Sequence, residues 1–320
     1  MNKFSTPFSR KINKLLRIKK KNSLTVLDLF AGCGGLALGF EANGFKTIGY
    51  EKDKDCCESY KNNLETECYN VFLDKNIKLE KADIIIGGPP CQPFSVGGKQ
   101  KGILDARDGF PVFLEAVSQI KPKILLFENV RGLIYKNKFY LEKITNFLKK
   151  LGYKIEIELM NASNYGVPQN RERIIVVGHK KKFEFPKKLE KKVTAYEALG
   201  NFFNYKPENG KYLNSNMDKY IKKYEIASKC INPRDLYKDK PSRTLTCRNL
   251  AGATGDMLRI LLSNGKRRRL LVEEAARLQS FPDWYKFYGN DTSIFNQIGN
   301  SVPPLLSFYI SKSILKSLDY

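Results

Sequence analysis

The chain has 320 residues, of which 42% are hydrophobic, and its 56 Lys and Arg outnumber 33 Asp and Glu to give a formal net charge of +23. This length and hydrophobic fraction exclude wholesale disorder and allow one large domain with a smaller companion. The positive charge favours a polyanionic partner, most often nucleic acid, and a lysine-rich bias of the whole proteome is the alternative explanation.

The first 180 residues alternate between predicted strands and predicted helices. Residues 1–22 are basic and precede this pattern as an arm, a short surface helix or a solvated tail. Apolar runs predict strands at 24–30, 45–51, 82–88, 121–130, 154–162 and 171–179, and helical spacing predicts helices at 36–44, 53–63, 110–120 and 140–153. The alternation predicts an α/β fold, a Rossmann-like doubly wound and mostly parallel sheet, with ligands at the carboxyl ends of the strands.

The pattern changes after about residue 180. The segment KKKFEFPKKLEKKV is charged and linker-like, and residues 195–265 are polar, rich in Asn, Tyr and Lys, and without strand–helix alternation. We therefore predict a smaller, irregular second domain. The predicted boundaries are 1–22 for a basic N-terminal arm, 23–185 plus 291–320 for the main domain, and 186–290 for the second domain.

The cysteines and the histidine limit the chemistry. The seven cysteines include no C-x-x-C pair and His179 is the single histidine, so zinc and iron–sulfur sites lack their usual spacing and we expect no metal. A single histidine also argues against a Ser-His-Asp hydrolase. Scattered cysteines are typical of a reducing cytoplasm. We expect no membrane partner, because no apolar stretch is long enough to span a bilayer.

A glycine-rich turn follows the first predicted strand. The segment DLFAGCGG (28–35) has the strand–turn–helix order of a nucleotide site but lacks the full G-x-G-x-x-G pattern of dinucleotide sites. Glu51 ends the next strand, where an acid can accept hydrogen bonds from both hydroxyls of a ribose. Together these features fit a nucleoside such as S-adenosylmethionine, and an ordinary surface glutamate is the alternative for Glu51. We interpret Cys33, inside the turn, as a packed small residue.

A cysteine follows two prolines in the segment GGPPCQPFS (87–95). Pro89 and Pro90 stiffen a turn just beyond a buried strand, where the thiolate of Cys91 can act as a nucleophile; a packed thiol is the alternative. Glu128 ends the strand KILLFENV, and the fold is expected to bring it to the same edge of the sheet. A carboxylic acid there can donate a proton. A nucleophile and an acid beside a nucleoside pocket suggest covalent group transfer.

Six segments in this order resemble the signature segments of DNA cytosine-5 methyltransferases of the bacterial and archaeal restriction-modification type. They are DLFAGCGGLALGF, GGPPCQPFSVGGKQ, ENVRGL, QNRERIIVVG, RRRLLVEEAARLQSFPDWY and QIGNSVPPLL, and the resemblance covers roughly residues 24–180 and 265–310. It implies that the main domain binds S-adenosylmethionine and carries catalysis, and that residues 186–290 form a target-recognition domain. It also implies base flipping, since the cytosine must leave the helix stack to be modified.

The resemblance implies roles for individual residues. Cys91 would attack carbon 6 of cytosine, Glu128 would hold or protonate the ring nitrogen N3, and Arg173 would contact the base and steady the developing charge. Carbon 5 would then take the methyl group from S-adenosylmethionine. The implied cofactor site consists of Phe30, Gly32, Gly34, Glu51, Asp74, Pro90, Asn300 and Ser301.

The DNA contacts implied by the resemblance lie in two places. Gln92 and Ser95 would belong to a mobile loop that closes over the DNA. Within residues 232–262, Arg243, Arg248 and Asn249 are residue types that read base edges or bind phosphates, and a domain core is the alternative interpretation. The basic run at 266–269 is expected to contact phosphates.

Two other functions use the same scaffold. A tRNA cytosine-5 methyltransferase would share the catalytic residues and differ within 180–265. A catalytically inactive relative would bind DNA as a regulator, and the presence of Cys91, Glu128 and Arg173 argues against it. We expect duplex DNA as the partner, a cognate restriction endonuclease acting separately, a monomer, and a location at the nucleoid in a prokaryotic cytoplasm.

Overall fold

A seven-stranded sheet forms the centre of the protein. The computed structural model describes residues 3–18, 22–74, 77–90, 108–227, 234–252 and 255–318. The strands are β1 Thr25–Leu29, β2 Lys46–Glu51, β3 Cys68–Asn70, β4 Ile84–Gly87, β5 Ile124–Val130, β6 Lys154–Asn161 and β7 Glu172–His179. They lie in the order β3-β2-β1-β4-β5-β7-β6, parallel from β3 to β5, with β7 antiparallel to both β5 and β6. The predicted mostly parallel α/β sheet is confirmed.

Helices lie on both faces of this sheet and within residues 186–290. They are α1 Pro7–Leu15, α2 Gly35–Glu41, α3 Lys54–Lys61, α4 Phe110–Ile120, α5 Gly132–Tyr135, α6 Lys138–Lys150, α7 Ala195–Leu199, α8 Ser215–Ala227, α9 Cys247–Ala251, α10 Val272–Leu278, α11 Asp291–Asn300 and α12 Pro304–Ser317. Within the described parts of the chain, no helix combines the length and the apolar character needed to cross a bilayer.

The central strands β1, β4 and β5 are buried on both sides, which explains their unbroken apolar sequences. Val26 and Ile84 belong to the core on one face, with α2 and α12, whereas Leu27 and Ile85 belong to the core on the other face, with α4 and α6. A strand with two buried faces gains from apolar residues at every position, so it shows no alternation with polar residues. The same burial leaves the strand ends as the places for polar chemistry.

Residues 186–290 have less regular structure. They contain an antiparallel hairpin of β8 Arg259–Leu261 and β9 Arg267–Arg269, whose turn has Gly265 at a φ of +78°. A small apolar cluster of Leu213, Ile221 and Met257 lies apart from the main core. In contrast, α10 buries its apolar side in the main core. The boundaries of the second domain stay a prediction.

The N-terminal segment is a docked helix in the structure. Thr6 caps α1 by accepting a hydrogen bond from the Ser9 amide, and Phe8 and Ile12 are buried in the main core. Phe4 stacks on Phe202 with ring centroids 4.1 Å apart. Of the alternatives that the sequence left open, the structure therefore shows the surface helix, although its apolar side belongs to the core.

Candidate active site

The predicted site residues come together at one edge of the sheet because the carboxyl ends of parallel strands meet there. Phe30 follows β1, Glu51 ends β2, and Glu128 lies near the end of β5. Residues 88–90 follow β4, which lies between β1 and β5. Cys91, Gln92 and Ser95 lie outside the described residues.

The glycine-rich turn is held by Glu51. One carboxylate oxygen accepts the Gly32 amide at 2.9 Å and the other accepts the Asp53 amide at 2.8 Å. Gly34 has a φ of +81°, and a Cβ on it would lie 2.8 Å from a methyl group of Leu64, so glycine is required there. A Cβ on Gly32 would meet no atom of the described residues within 4 Å. The turn therefore borders open space beside a fixed carboxylate, which fits the ribose of a nucleoside.

The described residues on either side of 91–107 meet at this turn. The Gly109 amide donates a hydrogen bond to the Pro90 carbonyl at 3.0 Å. A Cβ on Gly109 would lie 2.4 Å from Pro90 and 2.9 Å from the ring of Phe30, so the three residues pack closely. Pro90 and Gly109, which flank the segment that contains Cys91, therefore lie next to the candidate cofactor site.

Glu128 and Arg173 form a buried ion pair. Nε of Arg173 lies 2.9 Å from Oε1 of Glu128, and the side chains are 14% and 11% exposed. Among the residues that the structure describes, none gives Oε1 a well-aligned hydrogen bond, so its contact with Arg173 is mainly electrostatic. A Cβ on Gly88 would lie 3.9 Å from Oε2, and Asn129 donates to the Pro89 carbonyl at 2.9 Å. The acid, the arginine and the backbone that leads to Cys91 are therefore neighbours.

The end of α11 closes the other side of the turn. A Cβ on Gly35 would lie 1.9 Å from Oγ of Ser301, so the start of α2 and the predicted residue Ser301 touch. The thiol of Cys33 points to the Gln297 carbonyl in α11. Burial raises the pKa of Cys33 to about 12, which keeps the thiol protonated at neutral pH. This agrees with its interpretation as a packed residue.

The end of β3 contributes a residue that the sequence did not single out. Asn70 pairs in register with Glu51, and its side-chain amide donates to the carbonyls of Glu51 and Lys52 at 3.1 and 2.9 Å. The predicted residue Asp74 is exposed and lies four positions beyond the strand. A three-residue strand without an apolar run gives little sequence signal, which is why Asn70 was missed.

Comparisons with known proteins agree with this geometry. The profile of the family described as C-5 cytosine-specific DNA methylase matches residues 24–316. The Type II methyltransferase M.AplI of Arthrospira platensis is 54% identical over 302 residues, which cover 93% of this chain and 88% of the relative. The chain belongs to the C-5 cytosine-specific DNA methylase family. The methylase is thus a DNA cytosine-5 methyltransferase.

Other relatives and solved structures are similar over most of the methylase. The Type II methyltransferase M.PspPI of a Psychrobacter species is 35% identical, with 99% of this chain and 85% of the relative covered. The Entamoeba histolytica methyltransferase EhMeth has a TM-score of 0.70 at 20% identity, covering 94% of this chain and 99% of that chain. The DNMT2 of Spodoptera frugiperda has a TM-score of 0.69 at 19% identity, covering 93% and 100%. These two structures support the fold.

Three arginines of the methylase surround one acid within residues 232–262, which we refer to as the predicted DNA-reading segment. Asp256 lies 3.3 Å from Arg234, 3.8 Å from Arg243 and 3.7 Å from Arg248. Arg248 has a side chain that is 72% exposed, so it can reach a ligand. A single carboxylate cannot neutralise three guanidinium groups, and the cluster keeps a positive charge that suits DNA.

Two residues for which the sequence predicts DNA contact have internal partners in the structure. Asn249 is buried, and its side chain donates to the Thr244 carbonyl and accepts the Thr246 amide, so it stabilises the start of α9, and its contact with DNA stays a prediction. In the run 266–269, Arg268 is fully buried and binds Glu274 through two hydrogen bonds of 2.6 and 2.9 Å. Arg269 is buried over the ring of Phe295. Arg268 is therefore not available to a DNA phosphate. If it left Glu274, the buried carboxylate would have no partner, which is costly.

The methylase shows no candidate metal centre within the part of the chain that the structure describes, since no three His, Cys, Asp or Glu side chains cluster there.

Proposed function

We propose that the methylase transfers a methyl group from S-adenosylmethionine to carbon 5 of a cytosine in a short duplex DNA sequence, through covalent addition of Cys91. The observation that carries the proposal is the position of Glu128, which is paired with Arg173 beside Gly88. Cys91 follows in sequence two residues after Pro89, whose carbonyl Asn129 holds.

The proposed reaction begins when the Cys91 thiolate forms a bond to carbon 6 of a cytosine that has left the helix stack. Glu128 donates a proton at N3, where the displaced electron pair accumulates, and Arg173 stabilises the charge. S-adenosylmethionine, when bound, supplies the methyl group that carbon 5 takes. Loss of the carbon 5 proton to solvent forms the double bond between carbons 5 and 6, breaks the carbon–sulfur bond and releases Cys91 as the thiolate, and N3 returns its proton to Glu128.

The cofactor would bind at the glycine-rich turn. The open space at Gly32, the fixed carboxylate of Glu51 and the contact of Ser301 with Gly35 support this position, and Asn300 would join the site as the residue before Ser301. Phe30, Gly34 and Pro90 would complete the pocket, since Phe30 and Pro90 pack together at the same edge. Asp74 lies at an exposed position beyond β3, and in this proposal it contacts the adenine from there.

The proposed biological role is protection of host DNA in a restriction-modification system. The curated relatives are Type II methyltransferases, which supports this role. In this proposal a cognate endonuclease acts separately, Gln92 and Ser95 contact the DNA, and the methylase works as a monomer at the nucleoid. Sedimentation at the mass of a dimer would contradict the last point.

The deciding experiment is bisulfite sequencing of duplex DNA after incubation with S-adenosylmethionine and the purified methylase. We expect 5-methylcytosine at one short motif, and none with Cys91→Ala. Duplex DNA that contains 5-fluorocytosine at the target should form an adduct that survives denaturation, because the fluorine cannot leave as a proton does. Transfer RNA is assayed in parallel. Methylation of tRNA without methylation of DNA, or activity retained by Cys91→Ala, would overturn the proposal.

A further inference from the structure

A buried polar cluster connects the DNA-reading segment to the end of α11. It consists of Gln169, Arg171 and Gln279, each at most 1% exposed, and we refer to it as the glutamine–arginine cluster. Gln169 accepts the Leu245 amide at 2.8 Å, and Arg171 donates to the Leu245 carbonyl at 2.8 Å. Two side chains just before β7 thus bind both the amide and the carbonyl of Leu245, a residue of the DNA-reading segment.

The same side chains hold the end of α11. Arg171 also donates to the Gly299 carbonyl at 3.1 Å. Gln169 donates to the side chain of Gln279, which in turn donates to the carbonyls of Ile298 and Ser301 at 2.9 and 2.6 Å. Residues 298–301 include Asn300 and Ser301 of the proposed cofactor site, so one buried cluster fixes both the DNA-reading segment and the cofactor residues.

Direct packing reinforces the connection. A Cβ on Gly299 would lie 2.5 Å from the amide nitrogen of Cys247 and 2.7 Å from the carbonyl carbon of Thr246, so α11 and the start of α9 are in backbone contact. The Cys247 thiol lies 2.9 Å from Oδ1 of Asn300. The next residue is Arg248, the exposed arginine of the DNA-reading segment. A shift of either element therefore moves the other.

From these contacts we infer that Gln169 and Arg171 are positioning residues that couple DNA recognition to cofactor binding. Buried polar groups are costly to leave without partners, so Leu245 and residues 298–301 keep their bonds only in a common arrangement. A ligand that orders residues 298–301 thereby favours the arrangement that reads DNA. Coupling of this kind is reciprocal, so bound DNA tightens cofactor binding by the same factor. The inference rests on the proposed function.

The coupling is measured as a ratio of affinities. Isothermal titration gives the Kd of S-adenosylhomocysteine with the free methylase and with the methylase bound to a duplex that carries the motif found by bisulfite sequencing. We expect the duplex to tighten binding by roughly 5-fold or more in the wild type. With Gln169→Met or Gln279→Met, which keep the side-chain volume but lose the hydrogen bonds, the factor should fall towards one.

Two further variants separate coupling from stability. Ser311→Ala removes a buried hydrogen bond to the Gly39 carbonyl outside the cluster, so it should lower the Tm and keep the wild-type coupling factor. Cys247→Ala removes the thiol contact to Asn300 at a partly exposed position and should fold even if the glutamine variants do not. Its coupling factor should also decrease.

Two results would overturn the inference. The first is that the wild type methylates DNA and binds both ligands, but its Kd for S-adenosylhomocysteine is the same with and without the duplex. This result would leave the proposed function intact. The second is that Gln169→Met, Gln279→Met and Cys247→Ala all keep the coupling factor of the wild type. Failure of the wild type to methylate or bind duplex DNA would overturn the proposed function itself, so the two failures are distinguishable.

Discussion

At the scale of single residues, Glu51 shows how backbone amides orient a carboxylate at a strand end, where we propose that a ribose binds. Its carboxylate uses one lone pair of each oxygen on the Gly32 and Asp53 amides. A carboxylate oxygen can accept a second hydrogen bond. The backbone therefore fixes the direction of the side chain, and the remaining lone pairs are available to ribose hydroxyls.

Glu51→Gln tests this arrangement. The glutamine would place an NH₂ donor against a backbone amide, and it would lose charge-assisted hydrogen bonds that contribute about 1.5–3 kcal/mol. We expect the Kd of S-adenosylhomocysteine, measured by isothermal titration, to increase by about 10-fold or more. The exposed Glu67→Gln is the control and should bind as the wild type does. An unchanged Kd for Glu51→Gln would show that the ribose lies elsewhere.

The buried thiol of Cys33 should make the stability of the fold depend on pH in the alkaline range. Burial raises its pKa from an ordinary 9.0 to about 12. The folded state therefore keeps a proton that the unfolded state loses, so stability from this group is complete below pH 9 and is lost between about pH 9 and pH 12. Within this pH range, the free energy of unfolding decreases by about 1.4 kcal/mol per pH unit. Urea unfolding of Cys33→Ala should show a shallower decrease across pH 9–11 than the wild type; parallel curves would contradict the prediction.

At the scale of elements, α1 is a structural part of the fold. Its basic composition predicts an arm, a short surface helix or a solvated tail, whereas its periodic apolar residues Phe8 and Ile12 are buried in the main core. The helix also connects distant segments, because Asn13 bonds to the Asp283 side chain and its carbonyl accepts the Trp284 indole. Charge composition describes the exposed side of such a helix, and the packed side decides its position.

Ile12→Ala measures the contribution of α1. Truncation of a fully buried isoleucine removes apolar contacts and leaves a cavity, so the free energy of unfolding should decrease by about 2–5 kcal/mol. Urea denaturation followed by circular dichroism gives this value. Lys11→Ala on the exposed side of the same helix should change stability little. A small effect of Ile12→Ala would mean that α1 is not part of the cooperative unit.

The short helix α9 presents the exposed arginine of the DNA-reading segment. Arg248→Ala should reduce the preference for the target motif over unrelated duplex by about 10-fold, since a bidentate base contact discriminates by about 1–3 kcal/mol. Competition binding at several salt concentrations measures this preference. Arg10→Ala, exposed on α1, is the control. Equal weakening of binding to all duplexes would instead assign Arg248 to a phosphate.

At the scale of the whole molecule, a buried ion pair connects the hairpin to the main core. Arg268 in β9 binds Glu274 in α10 and also donates to the carbonyls of Phe202 and Tyr205, and both charged side chains are 0% exposed. Burial raises the pKa of Glu274 even though Arg268 opposes this shift. The pair is therefore a structural junction, although the basic run around Arg268 has the composition of a phosphate site.

Arg268→Met leaves Glu274 as a buried charge without a partner. We expect the free energy of unfolding at pH 8 to decrease by about 3–5 kcal/mol. The loss should be smaller at pH 5, because a glutamate whose pKa is raised binds a proton more readily in the folded state. The double variant Arg268→Met with Glu274→Leu should recover much of the stability in chemical denaturation. Equal losses at both pH values would argue against a buried charge as the cause.

The sequence by itself determined the α/β class, the strands other than β3, and which candidate residues lie at the edge of the sheet. Unbroken apolar runs predict buried parallel strands, and such strands necessarily bring Phe30, Glu51 and Glu128 to one side. The resemblance adds Arg173, and the structure pairs it with Glu128. These features depend on local patterns and on the geometry of parallel sheets, which is why the sequence was enough.

Tertiary structure alone decided which polar residues face inward. Asn249 and Arg268 have the composition of DNA contacts, yet both are buried with internal partners, whereas Gln169 and Arg171 hold two distant segments together. Asn70 became a neighbour of Glu51 through a three-residue strand. Burial of a polar side chain depends on partners that are far away in the sequence, and neither residue type nor periodicity contains that information.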